Sequence, residues 1–345
     1  MKSHGFASSL ALGLLCLSGG AQGQSGVVIY GVIDAGVALE TSRHAAGSSR
    51  ALLTGGSSSS RLGFRGSEDL GNAWKAIFTL ESGFSPDDGN LAQGGLLWGR
   101  KSFVGLSSPY GTLTLGRQDS PLYEYSAAMD PVSGALAFTR IFTLTSRYRR
   151  DNNTVKYASP TMYGFKGQLA YSFGEKAGSR ASGRILSAGL NYTRGDSSSS
   201  LSMQHVNNQP DKGSGIKTTR LLIIGTRYDF QVAALSLMAQ TNKSNEGSKA
   251  IDSHDLLLGV SVPMGSHKFT GSVIAHQDRR LASGSARQLG LGYSYAMSPR
   301  TSLYAGISHI TNKEKARFGL VPVAEGGAMD GADPKLYMAG MKHVF

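Results

Sequence analysis

From residue 27 onward the chain alternates apolar and polar residues in runs of roughly ten, broken by clusters of Gly, Ser, Asn, Asp and Pro. Ile29, Gly31, Ile33, Ala35, Val37 and Leu39 share one face, opposite Tyr30, Val32, Asp34 and Gly36. Phe165, Leu169, Tyr171 and Phe173 oppose Lys166, Gln168, Ala170 and Ser172. Leu289, Leu291, Tyr293 and Tyr295 oppose Gln288, Gly290, Gly292 and Ser294. Successive strand side chains point to opposite faces, so this is the pattern of a sheet with one apolar and one polar side. A run of about ten residues is the length a tilted strand needs to cross a bilayer. Helical spanning would need about 18 consecutive apolar residues, and no segment beyond the N-terminal twenty-odd residues supplies them.

Composition agrees only when read beside the pattern. Mean hydropathy is −0.16, as for a water-soluble protein. A transmembrane barrel has the same average, because half of each strand faces lipid and half faces water. A single Cys excludes a disulfide scaffold and a thiolate metal site. Glycine is abundant, 46 of 345 residues, without the three-residue period of collagen. Many glycines, including Gly105, Gly189, Gly225, Gly259 and Gly306, sit inside alternating runs. Glycine there eases the bending of a closing sheet.

Met1-Lys2, the apolar stretch 6–17 and the small residues 18–23 follow the order of a secretory signal peptide. Cleavage is expected after Gly23, leaving 24–345 as one barrel domain. Leu15 before Cys16 does not suit a lipoprotein signal. The net charge of +12 therefore belongs to an exported protein, where nucleic acid is not an expected partner. A basic channel or anionic lipid headgroups suit it better.

Strands are expected near 27–39, 60–67, 72–84, 98–107, 111–117, 150–159, 164–174, 184–195, 199–206, 220–230, 231–242, 251–263, 265–277, 285–297, 299–312 and 335–345. The fold class is thus all-β, a transmembrane antiparallel barrel of about 16 strands. Short connections alternate with long ones at 41–59, 118–149 and 312–334, the asymmetry of an outer-membrane barrel. Residues 41–60, rich in Ser and Gly, read as a mobile external loop. Residues 118–149 lack alternation but carry Leu122, Tyr123, Tyr125, Met129 and Phe138. That content argues for packing rather than disorder. The terminal strand ends on Phe345, which suits pairing with the first strand and a signal read by barrel assembly machinery.

Several motifs then carry a resemblance. Val28-Ile29-Tyr30-Gly31-Val32-Ile33-Asp34, Ser60-Arg61-Leu62-Gly63-Phe64-Arg65-Gly66 and Ala76-Ile77-Phe78-Thr79-Leu80-Glu81 come first. Gly99-Arg100-Lys101-Ser102-Phe103, Tyr110-Gly111-Thr112-Leu113, Asn152-Asn153-Thr154-Val155-Lys156-Tyr157 and Lys342-His343-Val344-Phe345 follow in order. The set resembles the Gram-negative general porins, β-proteobacterial branch, over essentially the whole chain after the leader. The resemblance implies a homotrimer of sixteen-stranded barrels in outer-membrane lipid, each with its own water-filled pore. It implies that the third loop, about 118–149, folds inward as a constriction, with basic wall residues facing acidic loop residues.

On that resemblance, Arg61, Arg100 and Arg150 match the basic wall and Asp130 the acidic loop, with Glu124 about two turns earlier. Parity supports the arginines: Arg61 alternates with Leu62, Arg100 shares a face with Ser102, and Arg150 shares one with Asn152, Thr154 and Lys156. Arg65 has the same parity nearer a rim. Arg117 shares a face with Leu113 and Leu115 and reads as a rim or interface residue. Residues 131–134 supply no second acid, which tilts the pore toward anions, since Arg or Lys rings favour them. The expected function is passive diffusion of small hydrophilic solutes and ions across the outer membrane, with anions preferred. The alternatives are a channel specific for a small anion such as phosphate or a carboxylate, and a barrel adhesin. No enzyme activity is expected: His205, His254, His267, His276, His309 and His343 are scattered, and no nucleophile elbow is present. No cofactor or metal is expected either.

Overall fold

The computed structural model describes residues 26–44, 47–131, 150–208, 216–245, 250–280, 284–313, 315–320 and 329–345. The expected leader and residues 132–149 of the expected third loop lie outside the described residues. The strands are β1 (Gly26–His44), β2 (Gly47–Thr54), β3 (Arg61–Gly71), β4 (Trp74–Gly83), β5 (Lys101–Ser108) and β6 (Gly111–Asp119). There follow β7 (Arg150–Ala158), β8 (Phe165–Ser172), β9 (Ile185–Arg194), β10 (Ser197–Asn208), β11 (Lys217–Asp229) and β12 (Ala234–Ser244). The last are β13 (Asp252–Met264), β14 (His267–Asp278), β15 (Ala286–Ala296), β16 (Thr301–Asn312) and β17 (Lys335–Val344).

β1 pairs antiparallel with both β2 and β3, each strand from β3 on pairs antiparallel with the next, and β17 returns to β1 with Val32 opposite Val344 and Thr41 opposite Lys335. The sheet closes on itself, so the backbone of the wall is paired from strand to strand around the barrel. Seventeen segments make sixteen staves, because β2 and β3 are successive parts of one. β2 pairs with the far half of β1 (Ala35 opposite Thr54) and β3 with its near half (Gly31 opposite Leu62). This corrects the expectation of a mobile loop over 41–60. Its Ser-Gly composition hid a paired strand at 47–54 and an excursion confined to 55–60.

That excursion is tied down by Asp34. Its carboxylate accepts from the backbone N–H groups of Ser57 (3.1 Å) and Ser58 (2.6 Å), and from the Tyr304 hydroxyl (2.6 Å). The Tyr304 phenol lies across the barrel's closing seam, over the facing pair Gly36 and Gly340. A Cβ on either glycine would come within 2.8 or 2.3 Å of the Tyr304 oxygen. Phe345 closes the other end of the seam. Its backbone exchanges hydrogen bonds with Gly31 at 3.0 and 3.1 Å, and its ring covers that glycine.

The alternation holds along the wall. On β11, Leu222 and Ile224 face outward at 44% and 56% exposure, while Leu221 and Ile223 face inward at 2% and 1%. Midway along the strands the outward face is apolar, as lipid requires. The inward face divides. On β3–β8 it carries Arg61, Glu81, Lys156 and Gln168, whereas on β11–β14 it carries Leu221, Ile223, Met238, Leu257 and Ile274. Short turns at 72–73, 109–110, 195–196 and 265–266 mark one rim, and the long connections leave the other.

Candidate pore constriction

After β6 the chain enters a short helix, Pro121–Met129. Ser120 caps it by accepting from the Tyr123 N–H, and Pro121 occupies the first turn, where its missing donor costs nothing. Leu122 and Met129 pack into the apolar inward face of β11–β13. Three inward glycines make the seat. A Cβ on Gly189 would stand 2.4 Å from the Tyr125 ring, one on Gly225 3.0 Å from Met129, and one on Gly259 2.4 Å from Pro131. These glycines, read from sequence as aids to closure, leave room for the loop.

Polar contacts fix the helix against the adjoining wall. Glu124 meets Lys156 Nζ at 2.8 Å and accepts from Gln168 Nε2 at 2.8 Å. The Tyr125 hydroxyl donates to the Lys166 carbonyl at 2.9 Å. Burial, with some help from the charge of Glu124, pushes that phenol up to about 12, so it stays a donor at any ordinary pH. Asp130 is buried, at 2% exposure, and its N–H bonds the Ser126 carbonyl where the helix ends.

The expected basic residues stand at the long-loop ends of their strands. Arg61 opens β3, Arg100 precedes β5 and Arg150 opens β7. Two carboxylates link them. Glu81 Oε1 meets Arg100 Nε at 2.6 Å, and its Oε2 lies 3.7 Å from Arg61 Nε and accepts from the Tyr30 hydroxyl at 2.9 Å. Asp119 lies 3.0 Å from Arg150 Nε and 3.0 Å from Lys101 Nζ. The Arg150 guanidinium also faces the Tyr123 ring at 5.9 Å, joining wall to loop. Arg61 further donates to Ser58 Oγ and the Ser59 carbonyl, so the 55–60 excursion orients it.

Sequence parity missed part of this. Glu81 lies within a quoted motif, and an acid inside a spanning strand reads as a lumen residue; that signal was available. The assignment of Arg150 to one face with Asn152 and Thr154 is corrected. A bulge between Gly116 and Gln118 sets three steps of β7 against two of β6, and Asn153 takes a φ of 51°. Asn152 is thereby exposed, bonded to outward Arg117, while Asp151 turns inward to Gln204. Arg65 is exposed, with its guanidinium 5.4 Å from the Tyr30 ring.

A closed sixteen-stave barrel with a helix seated inside it is the architecture of a diffusion channel, and the sequence relatives agree. A family model for Gram-negative porins matches residues 7–315. The chain is a Gram-negative porin. It is 34% identical to outer membrane porin protein 32 of Delftia acidovorans, over 98% of this chain and 99% of that protein. An outer membrane porin protein of Bordetella pertussis is 29% identical, over 90% of this chain and 95% of that one. Among solved structures, an anion-selective porin from Comamonas acidovorans superposes with a TM-score of 0.84 at 29% identity. That match covers 93% of the porin and 100% of the other chain. The porin resides in the outer membrane and is a passive diffusion channel.

Proposed function

We propose that the porin prefers anions, and that Arg61, Arg100 and Arg150 set this preference at the constriction. The observation that carries the reading is a charge imbalance. Among the described residues, Arg61, Arg100, Arg150 and Lys101 share the carboxylates of Glu81 and Asp119. The two loop acids named from sequence, Glu124 and Asp130, do not offset the excess: Glu124 is held by Lys156 and Gln168, and Asp130 is buried. Guanidinium groups stay charged at all working pH, so the field is permanent. The solved Comamonas porin bears the description anion-selective, which supports the same reading.

The proposal includes three further parts. The porin works as a homotrimer, Phe345 serves the assembly machinery, and residues 1–23 are removed on export. It acts as a channel without catalysis. An unheated gel reports the trimer, and N-terminal sequencing of the purified protein reports the cleavage site.

The test of selectivity is the reversal potential of the porin in a planar bilayer across a KCl gradient. The potential should carry the anion sign. Arg100→Ala and Arg150→Ala should each lower the chloride-to-potassium permeability ratio, by about twofold or more, as removal of one charge at close range implies. A cation-selective potential for the unaltered porin would overturn the assignment.

A further inference from the structure

The lumen carries a second set of cations, across from the constriction arginines and nearer the other rim. On β11 the inward face runs through Leu221, Ile223 and Gly225 to Arg227. On β14 Lys268 shares its face with Thr270 and Ile274, and on β17 Lys342 shares its face with Leu336 and Met338. β11 ends and β14 begins at short turns, and the Val344 N–H at the end of β17 bonds the Arg300 carbonyl in another. All three cations therefore line the lumen mouth on the short-turn side. They stand just beyond the loop seat: Arg227 follows Gly225 and Ser261 follows Gly259 on the same inward faces.

The three form an arc. The Arg227 guanidinium leans across β12 and donates to Ser261 Oγ on β13 at 3.2 Å. Ser261 stands opposite Thr270, so Lys268 is its diagonal neighbour on β14, about 7–8 Å away. Lys342 lies three strands beyond Lys268, about 14 Å along the wall, and Lys268 is within Coulombic reach of both other cations. Hydroxyls fill the spaces between them, with Ser294 opposite Lys268 and Ser302 opposite Lys342. Among the described residues, none of the three forms an ion pair. Two carboxylates stand near and are engaged elsewhere. Asp34, opposite Lys342, accepts from Ser57, Ser58 and Tyr304, and Asp229 accepts the Gln231 N–H.

We propose that this arc is a second anion site, which holds small anions bearing two or more carboxylate charges as they pass the short-turn mouth. Like charges gathered on one wall raise the local concentration of counter-ions, and each added charge on the anion adds its own attraction. The cations are separated, so an anion whose charges sit on separate groups meets more than one of them. A monovalent ion gains from only one at a time. The site delays such anions in passage and leaves the channel open to other solutes. It stands on residues apart from the constriction and does not depend on which ion the constriction prefers.

The probe is citrate, titrated calorimetrically into the purified porin in detergent at low salt. The unaltered porin should bind it, and acetate, with one charge, should bind at least about tenfold more weakly. The double variant Arg227→Gln, Lys268→Gln should bind citrate about tenfold more weakly. Lys268→Arg, which keeps the charge, should retain binding. Arg194→Gln removes an exposed cation from the outward side of the same rim and should have no effect. Arg100→Ala should shift the KCl reversal potential yet leave citrate bound, which separates this site from the constriction. Unheated gel migration establishes that each variant is folded. Equal citrate affinity in the double variant, an equal loss in Arg100→Ala or Arg194→Gln, or acetate binding as tight as citrate would each overturn the proposal.

Discussion

Two stretches of the same wall meet the lumen in opposite ways. The stretch from β3 to β7 presents charge: Glu81 pairs with Arg61 and Arg100, and Asp119 pairs with Lys101 and Arg150. The stretch from β9 to β13 presents glycine and hydrocarbon, with Gly189, Gly225 and Gly259 beside Leu221, Ile223, Met238 and Leu257. On the proposed function, one stretch acts on the charge of what passes, and the other holds the loop that sets how much can pass. The two tasks ask for different physics. A field needs charges kept near water and only partly compensated. A fixed obstruction needs close packing, because a loop held by hydrogen bonds alone would exchange them for water. The division implies that conductance and selectivity respond to different residues.

The largest expected effect tests the seat. In Gly259→Leu even the Cβ would overlap Pro131, which lies 2.4 Å from that position, and a full side chain must push the loop off the wall. Overpacking of this kind costs about 1–3 kcal/mol, and the loop is free to move toward the lumen. Single-channel conductance should fall by about half, while the sign of the reversal potential is kept. A variant with unchanged conductance and altered selectivity would break the division at its strongest point.

The barrel was legible because alternation is local: residues two apart share a face, and no knowledge of the partner strand is needed. All that depended on the partner strand was not legible. The pairing of 47–54 with β1 was hidden, since Ser and Gly in a strand resemble a loop until the register is known. The bulge at Gly116 and Gln118 reversed the parity of Asn152 without marking the sequence, because either strand could have carried the extra residue. Arg61, Arg100 and Arg150 were proposed through motifs, but their counter-ions were not. Glu81 is 19 residues from Arg100 and reaches it only through the β4–β5 connection. The glycine seats were visible as glycines, yet their purpose depended on the path of residues 121–131. Glu124 and Asp130 could be named as loop acids, but whether they faced solute or wall was a matter of tertiary contact.

A smaller effect sharpens the charged side of the comparison. Glu81→Gln removes the carboxylate between Arg61 and Arg100 and leaves two guanidinium groups less compensated. Anion preference should rise by about twofold in permeability ratio, most clearly near 0.1 M salt, where the Debye length is about 10 Å. The variant should also be less stable, by about 1–3 kcal/mol, since Tyr30 and Arg100 lose a buried charged acceptor. Conductance should change much less than in Gly259→Leu. A fall in anion preference would mean that Glu81 chiefly orients the arginines, and the charge-balance account would have to give way to one of geometry.

The smallest effect lies where the two stretches join. Lys156 holds Glu124 at 2.8 Å and also donates to the Asp119 carbonyl at 3.1 Å. Lys156→Gln deletes a cation from the lumen wall, so a purely electrostatic view predicts weaker anion preference. The contacts make that loss small, because Lys156 is paired with Glu124, which Gln168 still holds after the substitution. The apolar seat of Leu122 and Met129 remains intact, and an ion pair of this kind contributes about 1 kcal/mol or less when partly exposed. Mean conductance should therefore stay within about one fifth of its original value, with a slight loss of anion preference from the newly unpaired Glu124. Bilayer recordings at two salt concentrations separate these effects, since a loss caused by a free carboxylate shrinks as salt rises, whereas a displaced loop does not respond to salt. If conductance instead moves as far as in Gly259→Leu, the loop is held by its polar contacts, and the apolar stretch is only the surface it rests on.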